Sequence, residues 1–241
     1  MMKLIYIYHS CYAIEAEGFA VIFDYYHDSG NLPREGYVHD KLLRCSKPLY
    51  VLASHVHPDH FNREILEWKS SNIIRILSTD ILDSDRAKAS DGIFLQKGDI
   101  WQDERLKIQA MGSTDVGVSY IIYIGNKTIF HAGDLNNWHW KDESTDQEVQ
   151  EAESAYLAEL DGLAAVSDSI DLAMFPIDPH IGSDYMRGAE QFVERIHTRV
   201  MAPMHFEPRY DKAAAFAPIA ARHNCRLLSV SRKGEEFNDI L

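Results

Sequence analysis

The residues best suited to chemistry in this 241-residue chain stand together in Ser54-His55-Val56-His57-Pro58-Asp59-His60-Phe61. Four potential metal ligands arrive within six positions. His55 and His57 are two apart, so in an extended segment their rings project to the same side. Pro58 fixes its own φ and holds His57 toward the extended region, which keeps that pair aligned. Asp59 and His60 are consecutive and can turn toward a second point. One metal can sit on the histidine pair and another on the Asp-His pair. Imidazole suits zinc, iron or manganese, and a carboxylate beside it is a common co-ligand. The alternative is a histidine-rich surface loop that binds nothing. The run Leu49-Tyr50-Val51-Leu52-Ala53, which reads as a buried strand leading straight into the motif, favours the metal reading.

Stepping outward from that loop, residues 3–8, 11–16 and 19–23 read as short strands, the last ended by Asp24. The span 25–47 has Gly30, Pro33 and Gly36 and no clear period, which is long for a simple connection and predicts a functional or covering loop. Asn62 is placed to cap a helix over 63–70. Strands follow at 73–77, 93–95, 106–111, 118–124 and 128–131, with a helical turn within 80–88. Gly125-Asn126 forms a hairpin turn between the last two strands. Helical spacing marks 147–166, 185–197 and 211–223, alternating with strands at 171–177, 199–202 and 226–230. The order repeats loosely in two halves. Two sheets packed face to face with helices outside would satisfy it, and so would an ordinary α/β fold. The chain reads as one domain over residues 1–241.

The motif resembles the metal-binding signature of the metallo-β-lactamase superfamily, and other segments match in the same order. Phe130-His131-Ala132-Gly133-Asp134 resembles the strand-end Gly-Asp of that superfamily, and Pro203-Met204-His205-Phe206 resembles its late histidine. The opening Tyr8-His9-Ser10-Cys11-Tyr12-Ala13-Ile14-Glu15 is similar to that of the small bacterial branch that includes the ascorbate-6-phosphate lactonases. The resemblance selects an α+β fold, the four-layer αββα sandwich. It implies one metal on His55 and His57, another on Asp59, His60 and His205, and Asp134 bridging. Asp59, His60 and Asp134 would carry the catalytic work, with a metal-bound hydroxide as nucleophile. The implied cofactor is a divalent metal, one or two ions per chain, with zinc first and manganese or iron as alternatives.

One departure stands out. The superfamily usually supplies a further histidine to the first metal in mid-chain, and the matching segment here, Ala110-Met111-Gly112-Ser113-Thr114-Asp115-Val116-Gly117, has none. Asp115 is the substitute oxygen donor, unless Thr114 holds a water there or the first metal binds weakly. His9 and His180 are further candidates for a place near the site, and Asp24 for orienting a ligand histidine. His139, between two tryptophans in the 135–150 loop, is a candidate for reaching substrate.

Composition narrows the function. With 37 acidic against 24 basic residues the formal charge is −13, which argues against binding nucleic acid or an anionic membrane. Apolar runs are far shorter than the roughly 20 residues of a membrane span. The N-terminal Met1-Met2-Lys3-Leu4 enters a strand pattern without the features of a signal peptide. Cys11, Cys45 and Cys225 are odd in number and widely spaced, so reduced thiols and a cytoplasmic location are expected. No Gly-x-Ser-x-Gly elbow or P-loop is present. The leading expectation is a metal-dependent hydrolase of a small, phosphorylated or lactone-like substrate, free to form a homo-oligomer. Alternatives are a phosphodiesterase or nuclease, and a non-catalytic metal- or ligand-binding module. A di-iron oxidoreductase fits less well, because the resembling branch replaces the second motif histidine by Glu where this chain has His57.

Overall fold

The computed structural model describes residues 2–240. The chain divides into two compact units. One comprises the residues up to Gln96 together with those from Ser231 onward, and the other spans Lys97–Val230.

In the first unit, strands β1 (Lys3–Tyr8), β2 (Cys11–Ala16), β3 (Phe19–Phe23), β4 (Leu49–Ala53), β5 (Ile73–Ser78) and β6 (Ile93–Leu95) form a sheet. Glu235–Asn238, the last strand of the chain, pairs beside β1. Neighbours from that edge through β3 run antiparallel, and from β3 through β6 they run parallel. β3 and β4 are buried at every position, which is why they read as unbroken apolar runs and not as alternating ones. One face carries Ile5, Ile7, Ala13, Ile22 and Val51 and is covered by Phe61, Ile65, Trp68 and Ile81. The 25–47 span is indeed a cover. Tyr25, Tyr37, Val38 and Leu42 join that core, and Val38–Leu42 winds into a single π-turn.

The capped helix is shorter than the sequence suggests. α1 covers only Glu64–Glu67, and Asn62 Oδ1 accepts from the Glu64 amide at 2.9 Å from one position ahead of Arg63, the residue that caps the helix. Trp68 turns extended at ψ 114° and buries its ring, so packing of the indole ends the helix. α2 (Thr79–Asp83) follows β5.

In the second unit, β7 (Ile100–Gln102), β8 (Lys107–Met111), β9 (Ser119–Ile124), β10 (Lys127–His131), β11 (Ser169–Pro176), β12 (His197–Met204) and β13 (Arg226–Leu227) form the other sheet in spatial order. Pairs are antiparallel from β7 to β10 and parallel from β10 to β13. The β9–β10 hairpin turns on Gly125-Asn126, with Gly125 at φ 59°. β7 and β14 (Glu235–Asn238) are edge strands too short and polar for periodicity to reveal.

α3 (Asp146–Val166) starts at a capping box in which Thr145 and Glu148 exchange side-chain and backbone bonds. It buries Tyr156, Leu160 and Leu163 as one stripe. α4 (Arg187–Arg195) lies between β11 and β12 in the chain. The helix expected at 211–223 is two pieces, α5 (Tyr210–Ala214) and α6 (Ala217–Arg222), because Pro218 enters the first turn of the second and has no amide to continue the first. Cys11 and Cys225 are buried, Cys45 is exposed, and all three thiols are free. Among the described residues no helix is long and apolar enough to cross a membrane.

Candidate metal centre

Each sheet changes from antiparallel to parallel at one strand, β3 in the first and β10 in the second. The residue directly after β3 is Asp24, and Asp134 follows β10 by three positions. The next parallel strands, β4 and β11, lead into the His-rich loop and into Asp178. In open sheets, the carboxyl ends of parallel strands are where loops gather functional side chains.

In the first unit Asp24 is the hub. It is buried and holds a left-handed φ of 44°, a conformation that aspartate tolerates better than most residues. Its Oδ1 accepts from the Ser54 amide at 2.7 Å, and its Oδ2 accepts from the Ser54 hydroxyl at 2.6 Å. The same Oδ2 lies 2.7 Å from His60 Nδ1. The proton of His60 is therefore fixed on Nδ1, and Nε2 presents its lone pair. Ser54, having donated to Asp24, accepts from His55 Nδ1 at 2.9 Å, which fixes His55 in the same tautomer. One carboxylate thus sets two imidazoles, the second through a hydroxyl. Three of the lone-pair directions of Asp24 are used in this way, and with His55 and His60 it forms one of the groups that could hold an ion.

The sequence placed His55 and His57 on one side of an extended segment. The backbone instead turns here: the amides of His60 and Phe61 both bond to the His57 carbonyl. Asp80, in the first turn of α2, accepts from the Val56 amide at 2.9 Å and pins the loop between the two histidines. The rings still converge. His55 Nε2 lies 3.1 Å from His57 Nδ1, and the His55 and His60 rings are 4.1 Å apart. Two nitrogens bonded at ~2.0–2.1 Å to one tetrahedral ion lie roughly 3.3 Å apart, so this spacing fits a shared metal. His9, also left-handed at φ 57°, brings Nε2 within 3.2 Å of Asp59 Oδ2. Burial pushes the Asp59 carboxyl up, but His9 beside it, with a smaller effect of the neighbouring His60 ring, outweighs that and holds the group well below the usual carboxylate range. Asp59 is an anion at neutral pH and stays one further into acid than an ordinary carboxyl, which is the form that binds metal.

The second unit presents a smaller set. Gly133, at φ 54°, turns the chain after β10 to present Asp134, and the Trp138 indole donates to the Asp134 carbonyl at 2.7 Å. His205 follows β12 at φ 63°. Its Nε2 is 3.7 Å from Asp134 Oδ1, and its Nδ1 is 3.0 Å from Asp178 Oδ2. Asp178 therefore does for His205 what Asp24 does for His60. Burial raises the Asp178 carboxyl, and the bonds with His205 and His180 outweigh it and bring it below its ordinary range. Asp115 is exposed, and it offers a carboxylate oxygen within 4.8 Å of one on Asp134. Thr114 is engaged otherwise, its hydroxyl donating to the Asn136 carbonyl at 2.6 Å. The 135–150 loop is anchored by close packing: a Cβ on Gly188 would come within 1.9 Å of Asn136 Oδ1, so α4 can approach only with glycine there.

The other histidines sort accordingly. His180 rests its Nδ1 on Asp178 at 2.7 Å with its side chain 68% exposed. His139 is buried and commits both ring nitrogens to backbone, at Asp184 and Lys141, so it does not face a ligand. His131 Nδ1 accepts from the Gly133 amide and shapes the turn. Sequence reasoning singled out neither Ser54 nor Asp178 nor Asp80. For Asp178 a signal existed: it follows a parallel strand much as Asp24 does.

Residues 3–205 match the family model described as a beta-lactamase superfamily domain. The chain is 26% identical over 208 residues to a protein of Symbiobacterium thermophilum named a metal-dependent hydrolase, covering 79% of this chain and 81% of that one. Igni18, a metallo hydrolase from the archaeon Ignicoccus hospitalis, superposes with a TM-score of 0.72 at 19% identity, over 98% of this chain and 97% of that one. CmlA, a diiron β-hydroxylase from Streptomyces venezuelae, superposes with a TM-score of 0.68 at 11% identity, over 98% of this chain and 54% of that one. The structural likenesses show the fold, two mixed sheets flanked by helices, which is the α+β sandwich that the sequence motifs imply.

Proposed function

From its membership of the beta-lactamase superfamily domain family, we propose that this chain is a metal-dependent hydrolase of a small phosphorylated or lactone-like substrate. The observation that carries the reading is the Asp24–Ser54 relay, which fixes the tautomers of His55 and His60 together. A structural histidine pair has no need of two lone pairs set by one carboxylate. The proposed ligands are His55, His57, Asp59, His60, Asp134 and His205, with Asp115 supplying oxygen where relatives of this type usually place a histidine. Bound divalent metal supplies a Lewis acid and acidifies water into the neutral range.

The chain's own residues do the rest. Asp24 and Asp178 hold protons on the Nδ1 atoms of His60 and His205 and so keep Nε2 available. His9 lies against Asp59 and favours its anionic form. No serine or cysteine nucleophile is required: Ser54 is buried and spent on the relay, and burial pushes the Cys11 thiol well above its ordinary pKa.

The test pairs metal analysis of the purified protein with a screen of phosphodiester, lactone and amide substrates. Turnover on one class, lost with a chelator and restored by one metal, is expected. Metal bound without turnover on any class would favour a binding module, and phosphodiester cleavage alone would favour the phosphodiesterase reading. Activity indifferent to chelation would end the proposal.

A further inference from the structure

A cavity of about 350 Å³ opens in the first unit, lined in part by Tyr8, His27, Arg34, Glu64 and Lys233. Lys233 reaches it from the C-terminal return of the chain, where the Gly234 amide bonds to the Tyr6 carbonyl at 2.8 Å and ties that segment to β1. The ammonium sits 5.1 Å from the Tyr8 ring centroid and 3.5 Å from the Gly30 carbonyl. Among the described residues it has no carboxylate partner within ion-pair distance, although the chain carries a charge of −13. The acidic groups of the pocket are occupied elsewhere. Glu64 pairs with Arg34 and His39, and Asp28 takes the amides of Ser29, Val38 and His39 together with the His39 ring. Arg34 is likewise taken, by Glu64 and Glu67. Lys233 is left without a carboxylate in ion-pair contact, in a concave, aromatic-walled pocket whose acids are directed to other partners, which leaves its ammonium open to an anion.

The wall of this pocket leads to the candidate metal ligands. His27 stacks on Tyr26 with centroids 3.8 Å apart, and Tyr26 meets the His9 ring edge-on at 6.1 Å. His9 in turn contacts Asp59. Tyr8, in the pocket wall, also meets the His9 ring, at 6.3 Å, so a single ring contact separates the pocket from the residue beside Asp59. Lys233 and His27 are close enough that the ammonium charge, after burial, is the next cause of the lowered His27 pKa.

We propose that this pocket receives the anionic end of the substrate, a carboxylate or phosphate, on Lys233 Nζ with His27 beside it. That the ligand is a substrate rests on the hydrolase reading above; that the pocket binds an anion does not. The experiment follows the His27 ring and Lys233 ε-methylene resonances of the full chain, metal-free and zinc-loaded, during titration with inorganic phosphate and with acetate. Saturable shifts at both residues are expected in both metal states, and the tighter of the two anions identifies the source. Lys233→Met should weaken binding on the order of tenfold, the loss expected for one charge-assisted hydrogen bond. Lys233→Arg should retain it, which separates charge from folding. Shifts unchanged in Lys233→Met, or confined to His55 and His57 and seen only with zinc, would overturn the proposal. Anion binding at Lys233 in a protein with no chelator-sensitive turnover would sink the hydrolase reading alone. Such turnover without binding at Lys233 would sink the pocket alone.

Discussion

The two units solve the same problem with different resources. Each ends a parallel strand in a buried carboxylate that holds the Nδ1 of a candidate ligand histidine, Asp24 for His60 and Asp178 for His205. The first unit places three imidazoles and a carboxylate on one six-residue loop. The second draws one imidazole and two carboxylates from three separate connections. Asp24 governs two imidazoles by recruiting Ser54. Asp178 governs His205 and spends its other oxygen on His180, which faces solvent. The difference teaches that a local motif can carry its donors on one short loop and still depend on a strand end outside it to set their tautomers.

The sharpest way to break this comparison is to delete ligands on each side. Asp59→Ala, His60→Ala and His205→Ala should each reduce turnover to background while circular dichroism stays native. Retained turnover in His205→Ala would show that the first unit suffices. Next in size are the orienting carboxylates. Asp24→Asn and Asp178→Asn should each weaken metal binding by roughly 10–100-fold, the usual cost of losing a partner behind a ligand. The loss should be greater for Asp24, because two tautomers are released together. Competitive titration with a chromogenic chelator measures both, and equal losses would remove the asymmetry argued here.

A smaller effect is expected at Asp115. Oxygen donors hold zinc less firmly than imidazole and suit harder ions such as manganese. Asp115→Ala should let one ion leave on dialysis and keep the other, as read by elemental analysis. If two ions stay equally tight, another residue completes the position, with His9 and His180 the first to test. The smallest effect belongs to a site remote from these ligands. Tyr156→Phe removes the buried bond from its hydroxyl to the Gly188 carbonyl, and should lower stability by about 1 kcal/mol. Chemical denaturation reads that loss, and metal content should not move.

Much of the molecule was legible in its residues. The buried parallel strands β3, β4 and β11 announce themselves as apolar runs, and α3 as a stripe at helical spacing, because burial and helical period leave direct traces in residue type. The loop His55–His60 was legible because its donors are adjacent in sequence. Proline in α6 and the buried Trp68 after α1 are visible too, yet only packing showed that they cut their helices short. The edge strands β7 and β14 left no trace, since a half-exposed strand of three or four residues has no period to detect.

What the tertiary structure alone decided is partnership: Asp24 was legible as a residue placed to orient a histidine, but not which histidine it holds. Asp24 and His60 are 36 positions apart and Asp178 and His205 are 27 apart, so neither pairing leaves a spacing signal. Each exists because parallel strands bring their carboxyl ends side by side, whatever lies between them in the chain. The tautomers of His55 and His60 follow from that adjacency. Residue types determined which chemistry was available. The order of strands in each sheet decided which groups hold the protons.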